Sequence, residues 1–316
     1  MAPLDEAEET DSEGMEDLEG LESTKKDKKT PKSKKATKTD PKSTPKKEEK
    51  KKKKREVVRK LRVDLWRTRF HGEKVGIRQD AQHRHEKGFQ WSKDMDPLGE
   101  VKEDGKSTRL IGIRKGLWED DVDEDHDEEY ERRLVIKTFT KSSWVGTIEE
   151  LTASEIKNSA ATGKDLPAFI CLLSGAGYTV PIEQARSIYG RTFSLTVETK
   201  NREFEPMRIR ERRFTFGSDW DVYILAPKKE DEKVAFLDGK FMNVGGAWDI
   251  GIYDPDLAKN REFVETLVLF CASIRFHKEI RKKIEKTINA IEKGKYQLKV
   301  EKQEYDLMKN PRIRRI

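Results

Sequence analysis

Few side chains in this chain have the type and spacing to do chemistry, and the clearest set is a row of cations. In "MRIRERRF", Arg208, Arg210 and Arg212 alternate, so an extended strand displays all three on one face. A guanidinium donates in a planar fork that matches a phosphate or carboxylate, so such a row can hold an anionic headgroup. It can equally be the solvated outer face of a strand, paired with nearby Glu. A second cationic run, Lys50, Lys51, Lys52, Lys53, Lys54 and Arg55, stands in a Lys-rich stretch without aromatic residues for base stacking. Such a run can act as a nuclear-import signal, as a non-specific contact to nucleic acid or anionic lipid, or as a solubilising tail.

Other motifs come close and fail. Gly163-Lys164 is followed by Asp165 where a phosphate-binding loop needs Ser or Thr, and Asn158 stands where its first glycine belongs. Gly175 and Gly177 lack the third glycine of a dinucleotide turn. Asp121, Asp123 and Asp125 have calcium-loop spacing, but His126 occupies the glycine position and Arg132 the position of the bidentate Glu. The five histidines, His71, His83, His85, His126 and His277, form no metal-ligand pattern, and Cys171 and Cys271 lie within apolar runs that suit buried reduced thiols. The expectation is a non-enzymatic protein with no cofactor, no metal and no catalytic residue.

The elements that must position the arginine row follow from composition. Of 316 residues, 40% are charged and 34% hydrophobic, and the charge is unevenly spread. Residues 1–24 carry ten acidic and no basic side chains, and residues 25–60 carry nineteen Lys or Arg against five Asp or Glu. With a chain total of +6, about +2 remains for residues 61–316. Residues 1–58 offer little to bury and are expected to be a disordered tail, acidic and then Lys-rich. Residues 59–106 read as an extended lead-in, 107–277 as the folded domain, and 278–316 as a charged amphipathic helix and tail.

Folding proper is expected to start near Ser107, with residues 107–118, and beyond it short runs bounded by turn residues predict strands: 132–141, 191–200, 207–216, 221–227, 233–244 and 247–254. The segment 146–177 is less distinct, with a helix expected near 149–157. From Phe263 to Phe276, ten of fourteen residues are apolar, on every side of a helix, so this helix has to be surrounded. An Asp cap with Pro255 in the first turn gives its start. Beyond it, Ile280, Ile284, Ile288 and Ile291 form a narrow stripe that can dock on the body or on a partner protein. An antiparallel sheet plus one enveloped helix points to a mainly β fold with some α, a closed barrel around a central hydrophobic helix.

The stretch "VAFLDGKFMNVGGAWDIGIYD", running into "FVETLVLFCASIRF", resembles the C-terminal end of the tubby-like barrels, a superfamily that includes the phospholipid scramblases and LURP-one-related proteins. The resemblance spans 221–277 and extends back to about 107. It implies twelve antiparallel strands around a hydrophobic helix. It also implies a binding or adaptor protein that meets phosphoinositide membranes through a basic patch, for which Arg208, Arg210 and Arg212 are the candidates. A charged helix after the hydrophobic one departs from that pattern. Two alternatives stay open: a nuclear protein whose Lys-rich arm contacts nucleic acid or import factors, and a protein-interaction scaffold using the Ile280–Ile291 stripe. No run of about 18 apolar residues is present, so an intracellular protein is expected, in cytoplasm or nucleus or at a membrane surface.

Overall fold

The computed structural model describes residues 55–66, 95–114, 133–162, 169–175, 177–185, 187, 190–199, 203–213, 218–226, 231–240, 246–299, 302, 304 and 305. The expected disordered tail up to residue 54, with Lys50 to Lys54, lies outside these residues, as do Asp121, Asp123, Asp125 and the glycine-lysine pair.

Twelve strands form one closed antiparallel barrel. They are β1 (Arg59–Leu65), β2 (Met95–Glu103), β3 (Lys106–Arg114), β4 (Val135–Phe139), β5 (Trp144–Glu150), β6 (Ile170–Gly175), β7 (Tyr178–Ala185), β8 (Thr192–Glu198), β9 (Phe204–Glu211), β10 (Trp220–Ile224), β11 (Glu232–Lys240) and β12 (Ala247–Ile252). Each strand pairs with its neighbours in sequence, and β1 pairs with β12 to close the ring, from Arg59 opposite Ile252 to Asp64 opposite Ala247. Closure leaves no open edge strand.

The barrel therefore begins earlier than the expected start near Ser107, and two of its strands come from the stretch expected to be an extended lead-in. The physical reason is visible in β1, where Leu61, Val63 and Leu65 are buried while Arg62 is exposed. Three apolar residues among four charged ones suffice for a strand buried on one face. The indistinct segment 146–177 supplies β5, β6 and the helix α1 (Thr152–Ala161), and β7 follows it.

Among the described residues four helices complete the fold: α1, α2 (Pro255–Lys259), α3 (Arg261–Ile274) and α4 (His277–Glu292). The expected hydrophobic helix is broken in two. Asp254 caps α2 by accepting from the backbone N–H of Asp256 and Leu257, with Pro255 at the first helical position. Asn260 ends α2 and starts α3, its Oδ1 accepting from Phe263 N and its Nδ2 donating to the Glu198 carbonyl of β8. Every residue from Phe263 to Ile274 is buried. The helix packs against β1, β4, β5, β6, β8 and β12. Phe270 meets Phe193 of β8 and Trp220 of β10 edge-on, at 5.0 and 5.5 Å between ring centres.

One charge lies within that apolar surface. Glu265 of α3 is fully buried and accepts from Arg109 Nη1 of β3 at 2.9 Å and from the Thr138 hydroxyl of β4. Gly146 of β5 makes the approach available, because a Cβ there would sit 2.9 Å from Glu265 Cγ.

Helix α4 binds its own barrel end. Ile280, Ile284 and Ile288 are buried in the core and Ile291 packs against it, so of the two expected occupants of the stripe, the body or a partner, it is this chain's own body that covers it. Beside the stripe, the buried Lys283 ammonium donates to Glu150 Oε1. Glu150 Oε2 accepts from Leu134 N at 2.9 Å, and Glu155 of α1 accepts from Ile170 N at 2.8 Å. The Glu304 carboxylate accepts from Ala153 N at 3.0 Å, capping an α1 N-terminus that lacks a cap of its own. Burial, together with the charge of Glu150, raises the Glu155 carboxyl well above its ordinary range. Helix α4 ends where Gly294 takes a left-handed φ of 67°.

Lys283→Met removes the buried cation and leaves Glu150 without it. Urea unfolding should show a loss on the order of 3–5 kcal/mol. Lys282→Ala, one position round the helix and exposed, should change stability by less than about 0.5 kcal/mol. Equal effects of the two substitutions would contradict this docking of α4.

Candidate functional site

The arginine row is carried by β9, where Met207 and Ile209 are fully buried and fix the direction of the residues between them. Arg208 and Arg210 consequently face outward, and Arg212 follows one residue past the strand. The register sets Arg208 opposite Ser194 of β8 and Tyr223 of β10, and Arg210 opposite Asp221 of β10.

Neighbouring strands supply carboxylates and aromatic faces to this row. Arg210 Nη2 donates to Asp231 Oδ2 at 2.6 Å, and its guanidinium lies 5.0 Å over the Tyr223 ring. Arg212 donates to Asp221 Oδ1 from Nε at 2.7 Å and from Nη2 at 2.5 Å, and lies 6.0 Å from the Phe236 ring centre. The Lys233 ammonium reaches the same Asp221 oxygen at 2.7 Å and lies 5.8 Å from the Tyr253 ring centre. At the far end of β9, Arg191 is paired with Glu211 through its Nε at 2.9 Å and covers Trp220 at 4.9 Å. Arg210, Arg212 and Lys233 thus form a ladder, each between a carboxylate and a π face.

Protonation follows from these contacts. Burial pushes Asp221 up, but the hydrogen bonds from Arg212 and Lys233 outweigh it and hold the carboxyl below its ordinary range. Glu211 is lowered in the same way, burial being outweighed by Arg191. The hydrogen bond to Asp221 raises Arg212 further. Arg208 differs from the other two arginines: its Nε is buried by its neighbours and has no hydrogen-bond partner.

Register brought together residues whose meeting local sequence does not announce. Asp221 and Tyr223 share the outer face of β10 by alternation. Lys233 and Phe236 share that of β11 only because the β10–β11 register shifts at Val222/Tyr223. Of the basic run ending at Arg55, only Arg55 is described; it is exposed, donates to the Lys233 carbonyl and lies 4.0 Å from Glu232.

The remaining candidates are structural. Cys171 and Cys271 are free, fully buried thiols, and burial raises both well above their ordinary range, so neither is poised as a nucleophile. His277, the one described histidine, is buried against Phe169 and Phe193, with Nε2 2.8 Å from Gln184 Oε1. Among the described residues no group of three or more His, Cys, Asp or Glu is placed to hold a metal, and no helix is long and apolar enough to cross a membrane.

Comparisons with protein-family models, curated proteins and solved structures return no match for this chain.

Burial pushes His277 down to about 4, helped by the charges of Arg191 and Arg281. The unfolded chain takes up this proton from about pH 6.5 downward, whereas the folded chain does so only near 4. Stability present above the unfolded pKa is therefore lost as the pH falls, by about 2 kcal/mol at about pH 5. His277→Phe should lack this component, so the gap between the two proteins should narrow or reverse by that amount from pH 7 to 5 in urea unfolding. A constant gap would count against the neutral, buried histidine.

Proposed function

We propose that this chain is a non-enzymatic binding protein of tubby-like architecture, with α3 running through the barrel and the outer face of β9–β11 meeting phosphoinositide-bearing membranes. The architecture is supported by the closed twelve-stranded antiparallel barrel and by a helix buried along its whole apolar length. Its contacts also come from widely separated parts of the ring: β3 and β4 through Glu265, β8 and β10 through Phe270. Contacts from so many strands of a closed sheet support a position in the lumen, which twelve strands make too wide for their own side chains to fill.

The observation that carries the binding reading is the outward row of Arg208, Arg210 and Arg212 on a strand whose alternate residues are locked in the core. Asp221 and Asp231 neutralise part of the row, and with Lys233 counted, four cations face two carboxylates. Each guanidinium has five N–H donors, so the carboxylate contacts leave donors for a phosphate. The same contacts, with the aromatic rings beneath, hold Arg210 and Arg212 in fixed positions, which lowers the ordering cost of capturing a headgroup. Arg208 enters this face without a carboxylate at its Nε.

The test is co-sedimentation of the full chain with liposomes of equal charge, made with either phosphoinositide or phosphatidylserine. Arg208→Ala should weaken phosphoinositide binding several-fold and leave unfolding unchanged. Asp221→Asn adds one net positive charge to the face but releases Arg212 and Lys233 from their clamp, so it should raise adsorption to both liposomes while reducing the preference for phosphoinositide. Adsorption that tracks total charge alone, or that ignores both substitutions, would remove the lipid role from this face.

A further inference from the structure

The exposed side of α4 is a second cationic surface, with properties opposite to those of the arginine ladder. Between Lys278 and Lys295 the exposed charged residues are Lys278, Arg281, Lys282, Lys286, Lys293 and Lys295, against only Glu285 and Glu292. Helical geometry sorts them further. Lys278, Lys282 and Lys286 are spaced i, i+4, i+8 and follow one ridge at a rise of about 6 Å per step, with Lys293 continuing the same side. Arg281, Glu285 and Glu292 share the other flank, where Arg281 Nε donates to Glu285 at 3.0 Å.

We propose that this lysine ridge binds the sugar-phosphate backbone of a nucleic-acid duplex, without reading its sequence. Three features select that partner. The ridge is rigid, because the opposite side of the helix is anchored by Ile280, Ile284, Ile288 and the Lys283–Glu150 pair. Its cations are lysines, point charges suited to phosphate contact and poorly suited to bidentate recognition of a base edge. The surface between Lys278 and Lys295 also exposes no aromatic or large apolar side chain. Stacking on single-stranded bases is thereby unsupported. Insertion into a bilayer is unsupported too, since an interfacial helix must give its apolar side to the lipid and α4 has given that side to the barrel. A convex helical ridge touches a flat bilayer only along its crest, whereas phosphates on both sides of a groove can reach around it.

This inference does not rest on the arginine ladder, and the experiment separates the two. The full chain is titrated with a 20-base-pair DNA duplex of arbitrary sequence over a range of salt. The comparison variant is Lys278→Gln/Lys282→Gln/Lys293→Gln, three lysines of the ridge, with Arg208→Ala alongside. The Lys-rich arm is common to all proteins and cancels. Loss of three phosphate contacts should make the slope of log affinity against log salt shallower by about 2–3 and weaken binding roughly tenfold or more near physiological salt. Arg208→Ala should leave duplex binding unchanged. An unchanged slope in the lysine variant overturns the proposal. An equal loss on anionic vesicles of matched charge also overturns it, by reducing the ridge to a surface that answers to charge alone.

Discussion

A helix apolar on every side cannot meet water on any side, and the architecture follows from satisfying that constraint for α3. Twelve consecutive residues, Phe263 to Ile274, are buried. A flat sheet could cover only one stripe of such a helix, whereas strands placed around a ring can cover all of it. Its contacts come from separated strands: Arg109 and Thr138 reach the helix from β3 and β4, Phe193 and Trp220 from β8 and β10. The polar exception reinforces the point. Glu265 would be costly if left alone in the core, and it is held by a guanidinium and a hydroxyl through an opening that only glycine at 146 leaves.

The ring closes through residues distant in sequence. β1 pairs with β12 across almost the whole domain, so the charged stretch RKLRVDL is as much a part of the barrel as the apolar strands. The consequence reaches the exterior. After α3 the chain packs back onto the domain's own core. α4 settles there through its isoleucines, Lys283 and the Glu304 cap on α1. Which side of α4 faces water is thus decided by what the barrel end already buries.

How much of this was legible depended on how local each feature is. The enveloped helix, the strands from 191 to 254 and the outward alternation of Arg208 and Arg210 are set by neighbours in sequence and could be read directly. β1 was not, because its three inward residues are scattered among charges and it is separated from β2 by a long intervening stretch. β7 was hidden by Pro181 in its middle. The structure accommodates that residue because β7 pairs with β8 only over Glu183 to Ala185, leaving the proline outside that ladder. The carboxylates opposite the arginines were invisible for another reason. Asp221 and Asp231 become partners through strand register, and the register shift beside Tyr223 that brings Lys233 and Phe236 onto one face has no local signature. The isoleucine stripe was legible as a stripe, but its occupant was not, since an amphipathic pattern states that a face will be covered and not by what.

The two cationic surfaces show why a count of basic residues is a poor guide to what a protein binds. On β9–β11, Arg210 and Arg212 are held by carboxylates and lie over aromatic rings, so much of their charge is already answered and their geometry is fixed. Such a face gains selectivity from shape and donor placement more than from long-range attraction. On α4 the lysine ridge stands on a rigid base, with Glu285 paired to Arg281 on one flank. Its attraction is long-ranged, salt-sensitive and indifferent to the detail of its partner. A chain that is 40% charged uses both arrangements: cations that cross-link strands are clamped by carboxylates, while those of α4 stand along a solvent-facing helix.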